Sequence, residues 1–293
     1  MSIRPRRSVL YMPGSNARAM EKAKTLSVDA VVLDLEDSVA PETKPSARRQ
    51  VVETVKAGGF GPREIVVRIN GLDTEWWLDD LNAVAQAVPD AVLVPKISHP
   101  DQLEDVAERL VDIHADHRIR IWAMMETPLA MLRPGDIAAA AKDVETRLSV
   151  FVMGTNDLAK DTRVQIKPGR TAMLAWLTNC VAAARAYGLD IIDGVYNDLS
   201  DAEGFARECA EAHEMGFDGK TLIHPNQVRP CNTAFSPGAD EVAQAKKIIS
   251  AFDQPENAGK GVISLDGRMV ERLHAEMARR TVAIAEAIAA RQA

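Results

Sequence analysis

The stretch IRIWAMMETPLAML, residues 119–132, starts as an apolar strand and then delivers Glu126. An unpaired carboxylate is strongly disfavoured in a core, so Glu126 belongs at an open face where a cation can meet it. Other apolar runs end the same way. Asp34, Glu36 and Asp37 close AVVLDLED, Arg68 and Asn70 close EIVVRIN, and Pro95 and Lys96 stand near the end of AVLVPKI. Asn156 and Asp157 follow LSVFVMG, Asp193 lies in LDIIDGVY, and His224 and Pro225 end GKTLIHP. Glu126 and Asp157 are two hard oxygen donors without His or Cys. That set suits Mg²⁺, with Mn²⁺ as a second choice, because such an ion takes one or two protein carboxylates and fills its shell with water and substrate oxygens. The competing reading makes both residues helix N-caps, before TPLAML and LAKD. Arg68 suits a substrate carboxylate or a developing enolate oxygen, and can also pair with Glu36 or Asp37. Lys96 has the position of a Schiff-base lysine, but acidic neighbours would keep it protonated. His224 reads equally as a base or as a cap. The candidate substrate contacts are therefore Arg68, Glu126, Glu36, Asp37 and Lys96.

These side chains converge only if the strands that carry them end at one face. Eight short apolar runs (7–12, 30–36, 64–70, 91–97, 119–126, 148–154, 189–196 and 219–225) alternate with helical stretches such as DQLEDVAERLVDIHA. Strands alternating with helices imply parallel βαβ units, and runs apolar on both faces fit a sheet covered on both sides. Eight such units predict a (β/α)8 TIM barrel over residues 1–232, with its chemistry at the C-terminal strand ends. An open doubly wound sheet is the rival, but YMPGSNARAM lacks the GxGxxG dinucleotide signature. Residues 233–293 read as a helix, a Gly-rich irregular segment (QPENAGKGVISLDGRMVE) and a terminal helix. They form a C-terminal extension too small for a confident core of its own, expected to pack on the barrel or on a neighbouring subunit.

The 293 residues carry a net charge of −7 without a basic stripe, which argues against nucleic-acid binding. The absence of a long apolar run argues against a membrane span. The basic N-terminus precedes an apolar stretch too short for a secretory signal. Cys180, Cys209 and Cys231 are few, odd in number and far apart, which fits buried thiols in a reducing cytoplasm.

RSVLYMPG, VVLDLEDSV, VVRINGLDT, VLVPK, METP, MGTNDL and the tail GKGVISLDGRMVE occur in that order. As a set they resemble the citrate lyase beta-subunit-like family, which includes malyl-CoA and citramalyl-CoA lyases and malyl-CoA thioesterases. The resemblance spans nearly the whole chain. It implies a (β/α)8 barrel, Mg²⁺ dependence and a coenzyme A thioester as substrate. It assigns the metal to Glu126 and Asp157, and substrate contact to Arg68. It also implies a homotrimer or hexamer in which the C-terminal lid brings an acid, here Asp266 or Glu271, to a neighbouring subunit. Several lyases resembling this chain have Asp where Glu271 stands, and a shift of about one methylene can cost about 10²-fold in rate. The region of Arg7, Arg18 and Lys22 is expected to meet the coenzyme A phosphates, its plain alternative being a solvated helix face. The leading expectation is retro-Claisen cleavage of a 3-hydroxyacyl-CoA (malyl-, citramalyl- or methylmalyl-CoA) to an acyl-CoA and a 2-oxo acid. Hydrolysis of (3S)-malyl-CoA to malate and coenzyme A is the alternative. A metal-dependent 2-oxo acid aldolase and a non-catalytic CoA-ester-binding barrel are more distant readings.

Overall fold

The structure is a computed structural model describing residues 3–292. Eight parallel strands close into a barrel in sequence order: β1 (Ser8–Pro13), β2 (Ala30–Asp34), β3 (Glu64–Arg68), β4 (Ala91–Val94), β5 (Arg120–Met125), β6 (Leu148–Met153), β7 (Asp190–Asp193) and β8 (Gly219–Leu222). All eight expected strands are present, and β8 pairs back onto β1 through Ser8 and Lys220. The helices are α1 (Ala17–Ala23), α2 (Lys44–Ala57), α3 (Trp77–Ala85), α4 (Asp101–Asp112), α5 (Pro128–Leu132), α6 (Pro134–Ala139), α7 (Thr155–Thr162), α8 (Leu174–Ala186), α9 (Ala202–Met215), α10 (Val228–Ala234), α11 (Ala239–Phe252) and α12 (Arg272–Gln292). Among the described residues no helix is long and apolar enough to cross a membrane.

Side chains two residues apart share a face of a strand, so each strand serves two cores. Val9, Val32, Val66, Leu93, Trp122, Val150 and Ile192 fill the barrel interior, with Tyr11 packed against them. Leu10, Val31, Leu33, Val67, Val92, Phe151 and Ile191 alternate with these positions and are fully buried as well, as a sheet covered by helices requires. Before β1, at the N-terminal end of the barrel, Arg6 forms hydrogen bonds of 2.7 and 2.8 Å with Glu64. Its guanidinium carbon also lies 5.4 Å from the Trp122 ring.

The chain divides into two compact units, one of Arg6–Ala234 and one of Phe235–Ala293 together with the N-terminal residues up to Pro5. In the second unit α11 and α12 accompany the Gly-rich segment whose sequence reads as irregular. It is an antiparallel hairpin of β9 (Val262–Leu265) and β10 (Arg268–Glu271), with Leu265 opposite Arg268. Asp266 and Gly267, both at positive φ, make its two-residue turn. Asp-Gly is the sequence that such turns favour, because both central residues must adopt that backbone.

Candidate active site

The C-terminal end of the barrel is built around one cation. Arg68 ends β3, in register with Asp34 at the end of β2. Its Nε and Nη2 donate to the two Asp34 oxygens at 2.7 and 2.8 Å, a bidentate pair. Its Nη1 lies 2.9 Å from Glu36 Oε2 and 3.6 Å from Asp37 Oδ2, and its guanidinium stacks 4.9 Å from the Tyr11 ring centroid. Burial works against the charge on Arg68, but Asp34, Tyr11 and Glu36 outweigh it, and the group is held protonated. Asp34 is buried, which alone would raise its pKa, yet Arg68 and the amide hydrogen bonds around it hold the carboxyl below its ordinary range. Lys96 pairs through Nζ with Glu36, and its pKa is raised despite partial burial. A protonated lysine is no Schiff-base nucleophile, so this geometry removes that reading.

Glu126 follows the last residue of β5 and is buried. The backbone N–H of Lys96, a residue held at φ 56°, donates to Glu126 Oε1 at 2.8 Å. Oε2 has no hydrogen-bond partner among the described residues. Burial, then Glu36, then Asp157 push the Glu126 carboxyl up to about 8, against the pull of Arg68. Beneath this carboxylate lies Gly154, the residue between β6 and α7. A Cβ there would stand 2.3 Å from Glu126 Oε2 and 2.5 Å from Glu126 Cβ. The glycine makes room for the carboxylate.

Capping does not explain either acid. Thr127 caps α5, its side chain accepting from the Ala130 amide at 3.1 Å. Gly154 occupies the cap position of α7, and Asp157 sits inside its first turn, half-buried. Asn156, next to Asp157, exchanges hydrogen bonds of 3.2 and 2.8 Å with Asn197 in the loop after β7. A buried carboxylate oxygen without a partner, beside a second carboxylate whose charge it feels, fits a divalent cation. Among the described residues there is no cluster of three or more His, Cys, Asp or Glu placed for a metal. Two carboxylates alone are a donor set that Mg²⁺ can use, because that ion fills the rest of its shell with water and substrate oxygens.

Other expected residues fall elsewhere. Arg7 precedes β1 at the opposite end of the barrel, buried and clamped by Asp29 at 2.8 and 2.9 Å. It is therefore removed from the coenzyme A contacts: a side chain neutralised inside the N-terminal end cannot reach a ligand at the C-terminal one. Arg18, in the first turn of α1, and Lys22, in its last, are exposed. His224 caps a short 3-10 turn by accepting from the Asn226 amide at 3.1 Å. Asn70 donates to Asp80 at 2.6 Å, and Asp193 is buried against Lys220 and Arg170. In the C-terminal unit, Asp266 is a turn residue paired with Lys247. The Glu271 amide donates to His274 Nδ1 at 2.9 Å, and its half-buried carboxylate has no ion pair among the described residues. Two members of the pocket carry no mark in the sequence pattern. Asp34 reads as a strand end, although its register with Arg68 makes it the first partner. Tyr11 reads as one more apolar strand residue.

A closed parallel barrel with acids and a buried arginine gathered at its C-terminal rim has the arrangement of a (β/α)8-barrel enzyme. The particular family follows from comparison: residues 7–225 match the HpcH/HpaI aldolase/citrate lyase family, and the chain belongs to it. It is an enzyme of that family. It is 50% identical over 286 residues to a (3S)-malyl-CoA thioesterase of Cereibacter sphaeroides, covering 98% of this chain and 96% of that one. It is 33% identical over 288 residues to the citrate lyase subunit beta of Escherichia coli, covering 97% and 94%. Among solved structures, the protein CitE of Mycobacterium tuberculosis in complex with magnesium, acetoacetate and coenzyme A superposes with a TM-score of 0.74. That match is 28% identical and covers 95% of this chain and 97% of that one.

Proposed function

We propose that the chain hydrolyses (3S)-malyl-CoA to malate and coenzyme A. The observation that carries this is the end-to-end similarity to a (3S)-malyl-CoA thioesterase, at 50% identity against 33% for a citrate lyase subunit beta. The retro-Claisen cleavage expected first from the sequence uses the same pocket and has the weaker support. Glu126 and Asp157 would hold Mg²⁺, or Mn²⁺ in its place. When bound, the ion would supply Lewis acidity to the substrate's oxygens. Arg68, held rigidly by Asp34, faces the thioester oxygen and stabilises the charge that gathers there. Glu36, Asp37 and Lys96 line the same rim and fix the substrate's polar end. A carboxylate, with Glu271 preferred to the turn-bound Asp266, takes a proton from water. The water oxygen bonds to the thioester carbon, the C–S bond breaks, and the sulfur leaves with the proton as the free thiol of coenzyme A. Arg18 and Lys22 remain the proposed phosphate contacts. The proposal includes a homotrimer or hexamer in the cytoplasm in which one copy's C-terminal unit supplies Glu271 to another, as the family resemblance implies.

The test is product analysis on (3S)-malyl-CoA with Mg²⁺. Free thiol and malate without glyoxylate are expected. Glyoxylate and acetyl-CoA without free thiol would overturn the thioesterase reading in favour of the lyase.

A further inference from the structure

Tyr11 lies on β1 with its ring inside the barrel, between the apolar interior and the charged rim. One face stacks on the Arg68 guanidinium at 4.9 Å, a contact that orients the cation as well as stabilising it. The hydroxyl has one hydrogen-bond partner among the described residues, Met124 Sδ at 3.9 Å. Arg68 Nη1 donates to the same sulfur, at 3.8 Å. A thioether is a weak acceptor. Donors from β1 and β3 thus converge on one weak acceptor, the sole hydrogen-bond partner of the hydroxyl among the described residues. Arg68 has Nε and Nη2 committed to Asp34, and Nη1, 2.9 Å from Glu36 Oε2, is the edge that also reaches the Met124 sulfur. The charged groups around this pair are Asp34, Glu36, Asp37 and Glu126, the last of them the candidate metal ligand.

We propose that Tyr11 Oη and Arg68 Nη1 form the donor pair for the substrate's thioester oxygen, with Tyr11 as a catalytic residue of this site. The inference rests on the reading of the substrate as a coenzyme A thioester. As water adds to the carbonyl carbon, negative charge moves onto that oxygen. An O–H and an N–H that already face one point stabilise it without reorganisation. No proton is transferred: burial raises the phenol's pKa, so Tyr11 stays a donor throughout the neutral range. The pair would serve the enolate oxygen of a retro-Claisen step equally, because it is the same atom of the substrate. Tyr11 therefore bears on rate, whichever bond is cleaved.

The experiment compares wild type, Tyr11→Phe and Tyr11→Leu on (3S)-malyl-CoA, following thiol and glyoxylate together, with Mg²⁺ affinity measured by calorimetry. Tyr11→Phe keeps the ring over Arg68 and deletes only the hydroxyl. Its kcat should fall about 10²-fold, the usual loss for one such donor, with KM and Mg²⁺ affinity within about twofold of wild type. Tyr11→Leu also removes the stacking face and should fall further. A Tyr11→Phe variant with wild-type kcat, or one changed only in KM, overturns the donor role and leaves the thioesterase reading standing. A wild type that forms glyoxylate instead of thiol overturns that reading while Tyr11→Phe still tests the donor. A wild type inert on this thioester overturns both.

Discussion

Glu126 gathers the physics of the site into one side chain. Its Oε1 accepts from the Lys96 amide, while its Oε2 is buried without a hydrogen-bond partner among the described residues. Such an oxygen destabilises the fold unless something cationic meets it. The same group is thus a cost to the protein without metal and a ligand for the protein with it. Glu126→Gln separates the two effects, because the amide keeps the shape and loses the charge. Mg²⁺ affinity should drop at least about tenfold, since a neutral ligand replaces one of two anionic ones. The melting temperature of the metal-free variant should equal or exceed that of metal-free wild type. Calorimetry and thermal unfolding in chelator check the two halves. A variant that binds Mg²⁺ as wild type does would remove Glu126 from the metal site. Arg68 follows the opposite logic, being bound on three sides by Asp34, Glu36 and Asp37. Arg68→Lys keeps the charge but loses the bidentate contact to Asp34, and kcat should fall by about 10²-fold or more.

At the scale of elements, the pocket depends on where strands stop and helices start. β6 ends at Met153 and α7 begins at Thr155, so Gly154 is the whole junction. Gly154→Ala would set a methyl 2.5 Å from Glu126 Cβ as well as against its carboxylate. Turning the Glu126 side chain does not relieve the first of these, so the β5 and β6 ends must separate. Mg²⁺ binding should weaken at least about tenfold and kcat fall by about 10²-fold, the scale of a 1 Å misplacement. Unaltered Mg²⁺ binding in the calorimeter would show that the junction yields without moving Glu126. Most of this scale was legible in the sequence. The eight strands read clearly because a parallel strand buried on both faces is a short, unbroken apolar run, and polar residues punctuate each end. What hid was whatever relies on partners far away in the chain. Arg7 looks like any basic residue before a strand, and only the pairing of β1 with β2 shows that it points at Asp29, away from the rim. Asp34 and Tyr11 needed the register of neighbouring strands to be seen as Arg68's partners. The β9–β10 hairpin is a different case. Its Asp-Gly turn was written in SLDGRM, but the glycines around it dilute the alternation of two short strands.

For the whole molecule, the barrel must stay closed where β7 meets β8, and a buried charge cluster lies there. Lys220 Nζ donates to Asp193 and to Glu208 at 2.6 Å each, and Arg170 Nη1 donates to both Asp193 oxygens at 2.7 and 2.9 Å. The cluster ties β7 and β8 to α9 and to the segment before α8. Lys220 and Asp193 are completely buried. A buried pair of this kind gives little over well-packed apolar residues, but removing one partner strands the other and costs about 3–5 kcal/mol. Lys220→Met should be destabilised by that amount at neutral pH. The pH dependence identifies the cause. Burial by itself would raise the Asp193 pKa, but Lys220 and Arg170 hold it below the ordinary value. The folded state then binds fewer protons in acid than the unfolded state, and the stability that Asp193 contributes is present above about pH 4 and lost as pH falls through its depressed pKa. In Lys220→Met the share of that depression due to Lys220 goes while Arg170 keeps its own, so there is less for acid to remove. Urea unfolding at neutral pH and near pH 3 should show the gap between wild type and Lys220→Met narrowing in acid. A gap that stays constant across that range would mean that Lys220 acts through packing alone and that the charge cluster does not hold this seam of the barrel.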